Sequence, residues 1–188
     1  DKTVLIIGAG LIGLKCAEGI ADKVKHITVC DLAERILPNV LDEDSADIVK
    51  SHIEKQNIDV ILKTTVESFS ENEAVLTNGK KVKFDILVTA VGVRPNVGLV
   101  KDEGGKINRG ILIDDHCRTS IKDIYTGGDC AEGIDASTGE HKIIAILPNA
   151  YMQGKCAGEN MAGSDSTLKP MIPMNAAAFF GLHIITAG

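Results

Sequence analysis

Three glycines near the start of the chain, Gly8, Gly10 and Gly13, have the spacing G-x-G-x-x-G. In this pattern the first glycine permits a tight turn from a strand into a helix. The second lets the backbone approach a pyrophosphate, and the third lets the helix pack closely on the strand. Leu11 and Ile12 would then begin the helix, whose unpaired N–H groups bind phosphate. The segment therefore predicts a dinucleotide site formed by Gly8, Gly10, Leu11, Ile12 and Gly13.

An acidic residue stands where such a site needs a hydrogen-bond acceptor for a ribose. Asp31 follows Gly13 by 18 residues and ends the apolar segment 26–31. A carboxylate there accepts hydrogen bonds from the ribose hydroxyls of NAD and repels the 2′-phosphate of NADP. Arg35 is close enough in sequence to reach a 2′-phosphate, but a solvated surface arginine is the simpler interpretation. The alternative for the whole pattern is a glycine turn without a ligand, with Asp31 as a helix cap or surface acid.

The apolar pattern predicts the elements that position these residues. Short Val- and Ile-rich segments predict strands buried on both faces of a parallel sheet. Strands are predicted at 3–7, 26–31, 58–62 and 86–90, helices at 11–21 and 41–56, and an antiparallel meander at 66–69, 74–77 and 80–84 with its turn at Asn78-Gly79. This order describes a dinucleotide-binding unit of about 90 residues that closes at Gly92.

The pattern is weaker after Gly92. Residues 93–109 form a linker rich in Gly, Pro and Asn, strands are predicted at 111–113 and 124–126, and a helix is predicted at 148–162. Pro148 suits the first turn of that helix. The tail has no pattern that assigns it. The predicted fold class is therefore α/β, with a Rossmann-like parallel sheet and an antiparallel β-meander.

Two later segments make the sequence resemble a known family. They are Ala-Val-Gly-Val-Arg-Pro-Asn at 90–96 and Thr-Ser-Ile-Lys-Asp-Ile-Tyr-Thr-Gly-Gly-Asp at 119–129. Together with the glycine loop, and in this order, they resemble the flavoprotein pyridine nucleotide-disulfide oxidoreductases. The resemblance is closest to the branch of NADH oxidases, rubredoxin reductases and nitrite reductases. In that family a NAD-binding domain is inserted into an FAD-binding domain.

The resemblance implies a domain organisation. Residues 1–92 would be the NAD-binding domain, 93–163 the returning C-terminal half of the FAD-binding domain, and 164–188 the start of a C-terminal interface domain. The chain would then be an excised piece of a longer polypeptide. Gly92 would lie where the chain crosses back. Gly128 and Asp129 would belong to the second FAD motif, whose acid bonds the ribityl and phosphate part of FAD.

The implied function is that of an NAD(H)-binding fragment of an FAD-dependent NADH oxidoreductase, which passes a hydride from NADH to the flavin. The first FAD motif of the family has no match here, so we expect this chain to hold FAD weakly or not at all. No catalytic residue is predicted, because the redox-active cysteine motif and the C-terminal His-Glu pair are also without a match. Two alternatives stay open: a fragment of a flavin-free NAD dehydrogenase, and a non-catalytic module that senses NAD.

Lys15 and the five cysteines have simple structural interpretations. Relatives often carry glutamate near the nicotinamide at the position of Lys15, and here a helix-surface lysine is the default interpretation. The five cysteines lack a C-x-x-C pair, which favours reduced thiols and predicts no metal site. Cys130, beside Asp129, is the one cysteine close to a cofactor motif, and a redox role for it is a minor alternative.

Composition limits the partners. The chain has 20 Lys+Arg against 26 Asp+Glu, a net charge of -6, and only two Tyr, four Phe and no Trp, so a nucleic-acid surface is not expected. The apolar stretch 4–14 contains three glycines and is shorter than the roughly 20 residues of a membrane span. We expect a soluble, cytoplasmic protein that binds small-molecule cofactors. Its electron acceptor is unidentified. Because the family often dimerises through its C-terminal domain, the resemblance implies that the longer enzyme can be a homodimer.

Overall fold

The structure is a computed structural model that describes residues 1–187. Its first elements are β1 (Thr3–Ile7), α1 (Leu11–Ile20), β2 (His26–Cys30), α2 (Glu43–Glu54), β3 (Ile58–Ile61), β4 (Val66–Phe69), β5 (Glu73–Leu76), β6 (Lys81–Lys83) and β7 (Ile86–Thr89). They are followed by α3 (Gly98–Asp102), β8 (Ile111–Leu112), β9 (Ala131–Ile134), β10 (His141–Lys142), α4 (Leu147–Met161), β11 (Met174–Phe179) and β12 (Leu182–Ala187). These elements form two compact units, one of residues 1–93 with 176–186 and one built on residues 94–175.

A four-stranded parallel sheet in the order β3-β2-β1-β7 lies at the centre of the first unit. Successive side chains of β1 face opposite sides of the sheet. Val4 and Ile6 pack in the core formed with α1 and α2, whereas Leu5 and Ile7 pack against the meander. All four are at most 9% exposed. The predicted α/β class is therefore confirmed, and β1 is buried on both faces as predicted. The edge strand β7 is not, because Ile86 and Leu87 are exposed.

Helix α2 has acidic residues at its N-cap and in its first turn, which is the charge order from which the sequence predicts a helix. The Asp42 carboxylate caps the helix by accepting a hydrogen bond from the Ser45 N–H at 2.8 Å. Hydrogen bonding with the Ser45 side chain and with its N–H holds the pKa of Asp42 below its usual range. Ala46, Val49 and Ile53 lie on the buried face. Helix α2 thereby covers one side of the parallel sheet and leaves its charged residues in solvent.

The meander is confirmed as an antiparallel sheet in the order β4-β5-β6. Its second turn contains Asn78 and Gly79, as predicted, and the Gly79 N–H donates to the Leu76 carbonyl at 2.8 Å. Only Gly79 has a positive φ, at +83°, whereas Asn78 does not. The turn therefore needs one left-handed residue where the sequence pattern suggests two.

The second unit differs from its prediction in several places, among them the short helix α3, which lies in the segment predicted as a linker, and the unpredicted strand β10. Residues 124–126 do not form a strand, because Tyr125 makes only an isolated bridge with Arg118. Strand β9, which follows the Gly-Gly-Asp turn, was not predicted; it pairs in parallel with β8 and antiparallel with β10. Helix α4 has Pro148 in its first turn, as predicted. It packs Cys156 and Ala157 against the core of this unit.

The tail folds into a two-stranded sheet of β11 and β12. The domain boundaries at residues 92 and 163 stay predictions. Among the helices of residues 1–187, none is long and apolar enough to cross a membrane.

Candidate functional site

A pocket of about 280 Å³ opens at the carboxyl ends of β1, β2 and β7. Strands β2 and β3 lie to one side of β1 and β7 lies to the other. This reversal of strand order is where open parallel sheets bind ligands. The pocket is lined by Ile7, Gly8, Gly10, Asp31, Leu32, Pro38, Asn39, Thr65, Ala90, Val91 and Gly92. The structure thus brings together four residues singled out in the sequence, namely Gly8, Gly10, Asp31 and Gly92.

Two of the three motif glycines are required by the fold itself. Gly8 has a φ of +113°, and a Cβ on it would lie 2.3 Å from the carbonyl oxygen of Ala90. A Cβ on Gly13 would lie 2.0 Å from the carbonyl oxygen of Gly8. Both contacts are with backbone, which cannot rotate away as a side chain can. Gly8 therefore permits the turn after β1, and Gly13 permits the close approach of α1 to that turn.

Gly10 has no such reason within the protein. It is the N-cap residue of α1 with φ -82° and ψ -177°, a conformation open to any residue. A Cβ on it would meet no atom within 4 Å. Gly10 nevertheless lines the pocket. The packing of the chain gives no steric reason for this glycine, whereas a pyrophosphate that approached from outside would give one.

The first turn of α1 offers hydrogen-bond donors at this place. The Leu14 N–H donates to the Gly10 carbonyl at 3.0 Å. The N–H groups of Leu11, Ile12 and Gly13 come before that bond and so belong to the unpaired start of the helix. No acidic side chain lies in the first turn of α1 to neutralise the positive end of the helix dipole. The helix start is therefore suited to an anion.

Asp31 fixes the loop that carries the glycines. Its carboxylate accepts a hydrogen bond from the Ala9 N–H at 2.6 Å and another from the Ala33 N–H at 2.8 Å. These bonds use one lone pair on each oxygen, and each oxygen has a second. Asp31 is therefore neither a free surface acid nor the cap of α1 or α2. It ties the end of β2 to the glycine loop and retains acceptor capacity toward the pocket.

Arg35 does not reach into the pocket. Its Nε donates to the Leu41 carbonyl at 3.1 Å, and its terminal nitrogen donates to the Pro38 carbonyl at 3.2 Å. The guanidinium thus supports the segment that carries Pro38 and Asn39, two pocket residues that the sequence did not suggest. No lysine or arginine is found among the described residues that line the pocket. A 2′-phosphate would therefore meet Asp31 and no compensating cation.

The other two predicted residues, Gly128 and Asp129, lie in the second unit, on the turn before β9. Gly128 has a φ of +83°, and its N–H donates to Gln153 Oε1 of α4 at 2.7 Å. A Cβ on Gly127 would lie 3.0 Å from the Cβ of Gln153. Asp129 is exposed, and no hydrogen bond found in residues 1–187 engages its carboxylate. Gln153, which sequence reasoning missed, holds the turn and leaves Asp129 free to accept hydrogen bonds.

We predict that Gln153→Met destabilises the chain by about 1–3 kcal/mol, because the Gly128 N–H then loses a buried acceptor. Gln153 is 1% exposed, and methionine has a similar length without an oxygen. Denaturant unfolding measures the change, and Gln56→Met serves as the exposed control with an effect close to zero. Equal midpoints for the wild type and Gln153→Met would show that the turn does not depend on this bond.

Lys15 and Cys130, the other two residues considered in the sequence, lie outside the pocket lining. Lys15 forms an ion pair with Glu18 and donates to the carbonyl of Ala178 at 3.0 Å. Cys130 is half-buried, with its sulfur 3.4 Å from Thr126 Oγ1 and 3.7 Å from the Gly127 carbonyl. None of these contacts assigns a catalytic role to either side chain.

The chain is similar to known proteins over most of its length. Residues 1–154 match the family described as pyridine nucleotide-disulphide oxidoreductase. The chain is 39% identical over 175 residues to an NADH oxidase of Methanocaldococcus jannaschii, which covers 91% of the chain and 39% of that protein. It is 38% identical over 138 residues to a rubredoxin-NAD(+) reductase of Acinetobacter baylyi, which covers 70% of the chain and 35% of that protein.

Comparison with a solved structure agrees with these sequence matches. The water-forming NADH oxidase from Lactobacillus brevis bound to NADH superposes with a TM-score of 0.93 at 26% identity, covering 100% of this chain and 42% of that one. The chain thus spans about two fifths of the length of the relatives that it matches. The resemblance found in the sequence motifs is confirmed, and the chain belongs to the pyridine nucleotide-disulphide oxidoreductase family.

Proposed function

We propose that this chain binds NADH in the pocket beside β1 and β7, and that it is the NADH-binding part of an FAD-dependent NADH oxidoreductase. The observation that carries the proposal is the meeting of Gly8, Gly10, Asp31 and Gly92 in one pocket. In such enzymes the bound NADH supplies a hydride and FAD accepts it, while the protein binds and orients the two.

Each part of the pocket has a task in this proposal. The N–H groups that start α1 bind the pyrophosphate, which comes close because Gly10 has no side chain. The free lone pairs of Asp31 accept hydrogen bonds from the adenosine ribose hydroxyls. The negative charge of Asp31, without a cation in the pocket lining, selects NADH over NADPH.

In this proposal the second unit contributes the contacts with FAD. A carboxylate accepts hydrogen bonds from hydroxyl groups, and Asp129 presents an exposed one on a turn that Gln153 holds. Gly127 and Gly128 shape that turn, since a Cβ on Gly127 would lie 3.0 Å from the Gln153 Cβ and Gly128 has a φ of +83°. The motif that would grip the other end of FAD has no match in this sequence, so we expect this chain to bind FAD weakly or not at all.

The proposal includes an electron-transfer partner, because one relative is named for its reaction with rubredoxin. A small redox protein is thus the class of acceptor to test first. The cytoplasm is the compartment that we propose for the enzyme, since its five cysteines are all unpaired.

The test is a titration of the chain with NADH and with NADPH, followed by nicotinamide fluorescence. We expect NADH to bind and NADPH to bind at least about tenfold more weakly, because its 2′-phosphate faces Asp31. We also expect the purified chain to be colourless. Equal affinity for the two nucleotides would contradict the role of Asp31, and one flavin per chain would contradict the FAD expectation.

A pair of glycine variants separates binding from folding. Gly10→Ala is expected to leave the unfolding midpoint nearly unchanged, since its Cβ meets no atom within 4 Å, yet to weaken NADH binding at least about tenfold. Gly19→Ala is the matched control, because Gly19 is in the same helix and its Cβ also meets no atom within 4 Å. Unchanged NADH affinity in Gly10→Ala would contradict the placement of the pyrophosphate.

Expression of the complete coding region of the gene tests the enzyme itself. An FAD-dependent oxidoreductase is expected to carry flavin and to lose the flavin absorbance when NADH is added. NADH binding without flavin would instead favour a flavin-free dehydrogenase or an NAD-sensing module.

A further inference from the structure

The turn of the C-terminal hairpin, formed by β11 and β12, packs on helices of the first unit. Phe179 is fully buried in the core that also contains residues of α1 and α2. Phe180 and Gly181 form the turn and both have positive φ, at 49° and 83°. The hairpin tip is therefore anchored in the unit that contains the NADH pocket.

Polar side chains from two helices hold the backbone of this tip. Glu18 of α1 accepts a hydrogen bond from the Phe180 N–H at 2.6 Å, and His52 Nε2 of α2 donates to the Phe180 carbonyl at 3.1 Å. Lys15 of α1 donates to the Ala178 carbonyl at 3.0 Å and pairs with Glu18. Both backbone groups of Phe180 thus find a side-chain partner.

The Lys15–Glu18 pair differs from an ordinary pair on a helix surface. The Lys50–Glu54 pair of α2 joins two side chains of one helix at 2.9 Å, and within residues 1–187 neither side chain hydrogen-bonds to the hairpin. Lys15 and Glu18, in contrast, each make a second bond to the hairpin backbone. Hydrogen bonds to charged groups are about twice as strong as neutral ones. The bonds from Lys15 and the Phe180 N–H also lower the pKa of Glu18, which keeps its carboxylate charged.

Helix α1 connects this contact to the pocket. Its first turn offers the N–H groups for the pyrophosphate, and the hairpin binds through Lys15 and Glu18, which lie one to two turns further along. A helix is a rigid element, so a ligand that fixes its start and a hairpin that fixes its side both favour the same position of α1.

We propose that Lys15, Glu18 and His52 form a docking site for the turn of the hairpin, and that hairpin docking and NADH binding stabilise each other through α1. The occupant of the docking site is this chain's own segment 176–186. The linkage rests on the proposed NADH binding, whereas the docking site does not. Lys15, for which the sequence suggests only a helix-surface position, thereby has a role.

Hydrogen exchange of the peptide 176–186, read by mass spectrometry, tests the docking site without nucleotide. Glu18→Ala and Lys15→Ala are expected to raise the exchange rate of this peptide about tenfold and to leave the peptide of β1 unchanged. Lys50→Ala and Glu54→Ala are the matched controls and should leave both peptides as in the wild type. Wild-type exchange in the Glu18 and Lys15 variants, or an equal rise in the controls, overturns the docking site.

A variant that unfolds raises exchange in β1 as well. Lys15→Ala, which removes a half-exposed side chain, then decides the test.

NADH titrations and exchange in the presence of NADH test the linkage. In the wild type NADH should slow exchange of 176–186, and Lys15→Ala should weaken NADH binding about threefold to tenfold, because such coupling is reciprocal. The Lys50→Ala control should bind NADH as the wild type does. The linkage alone is overturned if NADH binds to the wild type without slowing exchange of 176–186, and Lys15→Ala binds NADH as tightly as the wild type does. A wild type that does not bind NADH overturns the proposed function and the linkage, while exchange without nucleotide still decides the docking site.

Discussion

Gly13→Ala is expected to lower the free energy of unfolding by about 3 kcal/mol, the upper part of the usual range for overpacking. The new Cβ would lie 2.0 Å from the carbonyl oxygen of Gly8 and 3.1 Å from its carbonyl carbon. Gly8 cannot give way, because its N–H donates to the Cys30 carbonyl at 2.8 Å. Helix α1 must therefore move off the sheet, and we expect NADH binding to weaken with it.

Thermal unfolding measures the effect. Each kcal/mol lost lowers the unfolding temperature of the first unit by roughly 4–8 °C. Gly19→Ala is the control, since its Cβ meets no atom within 4 Å, and the alanine should stabilise the helix by roughly 0.5–1 kcal/mol. Equal unfolding temperatures for the two variants would show that α1 does not depend on the contact of Gly13 with Gly8.

The sequence predicts the parallel sheet and the edge at which the pocket opens, because both depend on local patterns. Buried strands such as β1 are continuous apolar runs, and the glycine loop follows β1 directly. Asp31 could be found because the carboxyl ends of neighbouring parallel strands lie at one edge of the sheet. The same reasoning identifies Gly92, which follows β7.

Other features depend on partners that are distant in sequence. Strand β9 has the sequence Ala-Glu-Gly-Ile, which is not typical of a strand, and its Glu132 is buried because it accepts hydrogen bonds from the Gly110 N–H at 2.6 Å and from the Asn108 side chain. Gln153 reaches Gly128 across 25 residues. No spacing rule connects such pairs.

The hairpin shows the same limit. No sequence pattern predicts its apolar tip, because Glu18 and His52, which hold the Phe180 backbone, are distant in sequence. The pocket wall at Pro38 and Asn39 likewise depends on Arg35, whose contacts with the Pro38 and Leu41 carbonyls have no sequence signature.

The double variant Asp31→Asn/Leu32→Arg is expected to shift the ratio of NADPH to NADH affinity by about 100-fold or more toward NADPH. Loss of the Asp31 charge removes the repulsion of the 2′-phosphate and one acceptor for the ribose hydroxyl, at about 1.5–3 kcal/mol for a hydrogen bond to a charged group. Leu32 lines the pocket and is 69% exposed, so an arginine there is free to bind a phosphate in a bidentate manner. Fluorescence titrations with the two nucleotides measure the ratio.

Asparagine is the right replacement because Asp31 also has a structural task. The Ala9 and Ala33 N–H groups both depend on its carboxylate, and alanine would leave both without an acceptor. Asparagine keeps one acceptor oxygen, so the glycine loop loses one bond instead of two. Glu34→Gln is the control for loss of an acidic charge, since Glu34 is exposed, pairs with Lys63 and lies outside the pocket lining. If Glu34→Gln and the double variant changed the ratio equally, general electrostatics rather than a ribose contact would select the nucleotide. If Asp31→Asn alone left NADH affinity unchanged, the ribose would not be bound at Asp31.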